Sequence, residues 1–171
     1  VYLHQMPGGQ FTNLKEQARS LGITTDKWGM VANKYAEVNQ LFGDIVKVTP
    51  SSKIVGDMAL YMIANDLSKE DVLDPKKEIS FPASVIEFFK GEIGIPHGGF
   101  PKELQKKVLG DTKPLTKRPG EVLESVDLEK EAKNLEDEIG MKVNQTHLAS
   151  YLMYPKAVSY THLRAHETDS Y

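Results

Sequence analysis

Apolar positions recur at helical spacing along most of this 171-residue chain. Leu14, Ala18 and Leu21 form one stripe from about Thr12, with Gly22 placed to stop it. Trp28, Val31, Tyr35, Val38 and Phe42 form a second, predicting a helix over about 26–41 that Gly43 closes. A third stripe, Ile54, Val55, Met58, Ala59 and Met62, fades near Asn65 and Asp66. Between the second and third lies a β-branched run, 45–48, which reads as a short strand, and residues 1–3 read as the end of another. Gly8-Gly9 reads as a tight turn between such a strand and the first helix.

Beyond the third stripe the signals shorten. Ser68-Lys69-Glu70-Asp71 has the form of a capping box opening a short helix. Pro82 opens another helix, carrying Val85, Ile86 and Phe89 inward, and Gly91 ends it. Residues 94–101 are rich in Gly and Pro and read as a loop, before a short helix marked by Leu104, Val108 and Leu109. Over 110–124 the turn residues Gly110, Pro114, Pro119 and Gly120 interrupt any periodicity, as in a linker. Leu128, Ala132, Leu135 and Ile139 then form an amphipathic helix with Asp127 as cap and Gly140 as stop, and a last helix runs over 144–153. About eight helices and one or two short strands describe a mainly α chain.

Composition changes this picture little. Forty per cent hydrophobic and 26% charged residues are ordinary for a globular chain. A formal net charge of -3 gives no electrostatic reason to expect nucleic acid or an anionic membrane as partner. No apolar run reaches the roughly 18 residues needed to span a bilayer. With no cysteine, disulfides and thiolate-bound metal are excluded within these residues.

Chemistry concentrates where the β-branched run meets the third stripe. Thr49 stands at the expected N-cap, Pro50 at the first helical position, and Ser51, Ser52 and Lys53 in the first turn, where unpaired N–H groups and a partial positive charge are available. Spacing alone leaves two readings open, a capped helix and nothing more, or a site. Asp57 stands one turn beyond Lys53, at ion-pairing distance on a helix. His97, in the Gly-Pro loop, has no second metal-ligating residue at suitable spacing and reads as structural.

Val48-Thr49-Pro50-Ser51-Ser52-Lys53-Ile54-Val55-Gly56-Asp57 resembles the motif of the carboxyltransferase region of the pyruvate carboxylase family. Met6-Pro7-Gly8-Gly9-Gln10, Phe42-Gly43-Asp44-Ile45-Val46-Lys47, Phe81-Pro82, Pro96-His97-Gly98-Gly99-Phe100-Pro101 and Arg118-Pro119-Gly120-Glu121 resemble the same family in the same order. The resemblance covers Val1 to about Lys156. It implies a piece of a long multidomain enzyme: residues 1–113 as the C-terminal helical part of the carboxyltransferase domain, and 114–157 as a linker and the start of the tetramerisation and allosteric region. The fold it implies is a funnel-like helical bundle that follows and caps a (β/α)8 barrel absent from this fragment. Residues 158–171 depart from the family pattern and read as a foreign tail, with no function for His162 or His166.

The resemblance also implies a reaction, carboxyl transfer from carboxybiotin to pyruvate, giving oxaloacetate. It places Thr49 as the proton relay and Ser52 and Lys53 as biotin-binding residues. A hydroxyl suits a relay because it donates and accepts at once. Biotin delivered on its carrier domain, a divalent metal (Zn or Mn), ATP with Mg, a homotetramer and a cytoplasmic, bacterial parent are implied too, with the metal and ATP sites outside this fragment, which alone should be inactive. Two alternatives stand beside this one. The α subunit of oxaloacetate decarboxylase and the transcarboxylase subunit share the Thr-Pro but typically carry Thr-Ser-Gln where this chain has Ser51-Ser52-Lys53. Alternatively, the piece is a non-catalytic helical module docking through the helix over 127–140.

Overall fold

The periodic stripes fold as helices, and among the described residues no strand forms. The structure is a computed structural model describing residues 4–156 and 158. It divides into two units, Val1–Val122 and Leu123–Tyr171. The expectations for residues 1–3, and for the tail beyond Val158, lie outside the described residues.

In the first unit, α1 (Gly8–Ser20) is followed by a 3-10 turn (Thr25–Lys27), α2 (Trp28–Leu41), α3 (Ser51–Ala64), α4 (Lys69–Leu73), α5 (Ala83–Lys90), α6 (Lys102–Leu109) and α7 (Pro119–Val122). The third stripe becomes the centre of the unit. Ser52, Ile54, Val55, Gly56, Met58, Ala59, Leu60 and Met62 of α3 are buried, on nearly every side of the helix. A helix apolar all round has to be enclosed, and α1, α2 and α5 pack on it. Val31, Tyr35 and Val38 of α2 are fully buried against this core, each worth ~1.5–3 kcal/mol of burial. Phe42, Phe88, Phe89 and Phe100 close the other end as an aromatic cluster, with ring centroids 5.1–5.6 Å apart.

One glycine sets how closely α1 approaches α3. A Cβ on Gly56 would stand 2.4 Å from Gln10 Nε2 and 2.9 Å from Leu14 Cδ1. Only the bare backbone leaves room for the Gln10 side chain there.

Two local expectations are corrected. Gly8-Gly9 is not a tight turn but the first turn of α1, because Pro7 at φ -59° presets the helix and its carbonyl accepts from Phe11 N–H at 2.8 Å. Residues 45–48 are irregular rather than a strand. Ile45 is buried, while Val46 is 80% and Val48 62% exposed. β-branched residues favour a strand only where a neighbouring edge completes the hydrogen-bond ladder. Here the Ser51 hydroxyl supplies local bonds instead, interacting with Val46 O at 2.8 Å and Val48 O at 2.6 Å and lying 3.1 Å from Val48 N–H as acceptor.

In the second unit, α8 (Leu128–Ile139) begins at Asp127, whose carboxylate accepts from Lys130 N–H at 3.1 Å, and ends at Gly140 with φ +70°. Its Leu135 and Ile139 are buried where it packs on α9 (Gln145–Met153), capped in turn by Asn144.

A candidate binding cleft at the start of α3

Helix α3 starts one residue later than the Thr49 cap implied. The Thr49–Pro50 peptide is cis, Pro50 takes the N-cap position, and no side chain caps the helix. Two of the first-turn N–H groups are already used: Ser52 N–H donates to Val48 O at 3.1 Å and Lys53 N–H to Pro50 O at 3.0 Å. Side chains therefore carry most of the recognition available at this end. Thr49, released from capping, is exposed, and its hydroxyl makes no hydrogen bond among the described residues.

Thr49, Ser52 and Lys53 line one cleft of about 520 Å³, between the start of α3 and the first turns of α1. Gln10, Asn13 and Gln17 of α1 face them, and Lys47 and Val48 complete the wall. Ser52 is only 3% exposed, and its carbonyl accepts from the buried Tyr35 hydroxyl at 3.3 Å. Burial pushes the Tyr35 phenol up to about 12, so it stays a donor at any physiological pH. Lys53 Nζ lies 2.6 Å from Asp57 Oδ2, the one-turn pair expected from spacing, and the same oxygen accepts from Ser84 Oγ of α5 at 2.7 Å. Lys47 Nζ donates to Gln5 Oε1 at 3.2 Å.

Gln10 is the residue that sequence reasoning passed over. It lines the cleft and is 7% exposed, and its Nε2 is buried with no hydrogen-bond partner among the described residues. An amide donor left unsatisfied in a buried position costs about 1–3 kcal/mol. The signal available in the sequence was a lone polar residue at a position where α1's stripe calls for an apolar one, one helical turn before Leu14.

His97 lies elsewhere, exposed on a separate cavity of about 540 Å³ with Asp44, Phe88 and Ile95. Among the described residues no three His, Asp or Glu side chains stand where they could share one metal ion. No helix among them is long and apolar enough to cross a membrane.

Residues 1–170 match the family model described as the conserved carboxylase domain. Pyruvate carboxylase of Bacillus subtilis is 49% identical over 156 residues, 91% of this chain, and that of Staphylococcus aureus is 53% identical over the same length. The chain spans 14% of either relative. It also superposes on the carboxyl transferase domain from Rhizobium etli pyruvate carboxylase, solved with pyruvate and biocytin. There the TM-score is 0.83 and the identity 54%, over 99% of this chain and 28% of that one.

Proposed function

This chain belongs to the conserved carboxylase domain family, and on that premise we propose that it is the C-terminal helical part of the carboxyltransferase domain of a biotin-dependent pyruvate carboxylase. Residues 1–113 are that part, and 114–157 are a linker and the start of a tetramerisation and allosteric region. The intact enzyme carboxylates pyruvate to oxaloacetate. The barrel that this bundle caps, its Zn or Mn, the ATP and Mg site and the biotin carrier domain belong to the rest of the protein, and the fragment by itself is inactive. The parent is a cytoplasmic homotetramer.

One observation carries the reading. A hydroxyl that makes no hydrogen bond among the described residues, an ammonium, a buried serine and the Gln10 side chain line a single cleft. That donor set fits a cyclic urea, whose carbonyl accepts and whose ring N–H donates. Lys53 Nζ supplies a hydrogen bond to the carbonyl, Ser52 fixes its orientation, and a cleft of this volume admits the fused ring. Bound there, biotin supplies the carboxyl group to be transferred. Thr49 Oγ1 would take the proton leaving the pyruvate methyl carbon and pass its own hydrogen to the urea nitrogen as the nitrogen–carboxyl bond breaks and the carboxyl group bonds to that carbon, acting as a positioned relay rather than as a titrating base. Its exposure at the cleft and freedom from capping suit that role, since a committed hydroxyl would have to break a bond first.

The test is Thr49→Ala in the complete enzyme. Oxaloacetate formation should fall by about 10²–10⁴-fold, with biocytin binding retained and the melting temperature unchanged. A variant that folds normally and still transfers carboxyl to pyruvate would overturn the relay.

A further inference from the structure

Asp57 takes no direct part in the cleft, yet its contacts differ from those of an ordinary surface ion pair. Its side chain is 18% exposed, against 56% for Lys53. One carboxylate oxygen is shared between Lys53 Nζ at 2.6 Å and Ser84 Oγ at 2.7 Å, so the pair is tied to a second helix. The less exposed member is fixed from two elements, and the exposed one extends from it to the wall of the cleft.

We propose that Asp57, anchored by Ser84, is a positioning residue that holds the Lys53 ammonium for a urea carbonyl in the cleft, an inference that rests on the reading of the cleft given above. A free lysine side chain loses about 1.5–2 kcal/mol of rotamer entropy when a ligand fixes it. Held by Asp57, Lys53 has lost most of that freedom before the ligand arrives, and two of its three N–H donors remain for other acceptors. An opposing effect exists, because a carboxylate so close also competes with the ligand for the ammonium. The geometry favours positioning: the Ser84 hydroxyl already satisfies part of the charge on that oxygen, and an acceptor at a different N–H need not displace it.

Titration of the complete enzyme with biocytin tests this, using Lys53→Gln, Asp57→Asn, Asp57→Glu and Ser84→Ala. Asp57→Asn should weaken binding by about fivefold, within the coupling range of residues in contact. Ser84→Ala should weaken it by about twofold, a smaller step of the same kind. Asp57→Glu should recover part of the loss. In a Lys53→Gln background Asp57→Asn should cost nothing further, an outcome that a merely structural role for Asp57 would not give. Unchanged or tighter binding in Asp57→Asn, or an equal loss with and without Lys53, would overturn the proposal. Should Asp57→Asn fail to fold, Ser84→Ala decides by the same criteria. Lys53→Gln alone reports on the underlying reading: if it binds biocytin as the parent does, the assignment of the cleft fails, whatever Asp57 does.

Discussion

Thr49 and Ser51, two residues apart, exchange the roles that their positions suggest. The sequence points to Thr49 as the cap, but it is the Ser51 hydroxyl that ties the chain down, bonding around Val46 and Val48. In thermal melts of the chain, Ser51→Ala should therefore cost about 1 kcal/mol, whereas Thr49→Ala should change stability by less than about 0.5 kcal/mol. The reverse order would restore Thr49 as a structural cap and weaken its case as a relay. Gly56 gives a second prediction. With Gln10 Nε2 2.4 Å from a would-be Cβ, Gly56→Ala forces α1 and α3 apart or expels the Gln10 amide. Urea unfolding should report a loss of about 1–3 kcal/mol, the usual range for overpacking. At this scale the sequence singled out Thr49, Ser52 and Lys53, and these three line one cleft. It was silent on Gln10, whose placement depends on how closely two helices distant in sequence approach, and no local pattern encodes that.

At the scale of elements, the capping box of α4 is the clearest case of a motif carrying its own structure. Ser68 Oγ accepts from Asp71 N–H at 3.1 Å, and the Asp71 carboxylate accepts from Ser68 N–H at 2.9 Å. Lys77, at 2.8 Å, and these Ser68 bonds hold the Asp71 carboxyl well below its ordinary value of 3.8. Because the folded state binds its proton less readily than the unfolded one, the stabilisation is complete above pH 3.8 and drains away as the pH falls below it. Melting temperature followed from pH 6 to 2 should drop more steeply for the parent than for Asp71→Asn, which lacks the titrating group; parallel curves would contradict this. The helices were legible because 3.6-residue periodicity and caps are local. The run over 45–48 was misread as a strand because β-branched composition states a preference, while a ladder needs a second edge, and among the described residues none pairs with this stretch.

On the scale of the whole molecule, the two units have different resources. The first contains the connected core from Met6 to Leu109, whereas among the described residues of the second the buried apolar ones are Leu135 and Ile139. Limited proteolysis should cut first over 110–127, where turns and exposed Leu123 and Val126 leave the backbone accessible, and should leave a helical N-terminal product whose circular dichroism melts cooperatively. Cleavage first within α2 or α3 would contradict the division. The first unit also carries Val46, Val48, Ile93 and Ile95 outward, at 80, 62, 45 and 62% exposure. Apolar side chains left in water are driven out of it more strongly in kosmotropic salts. Ammonium sulfate should accordingly bring this piece out of solution, still folded, at a concentration lower than four outward lysine replacements at those positions would require.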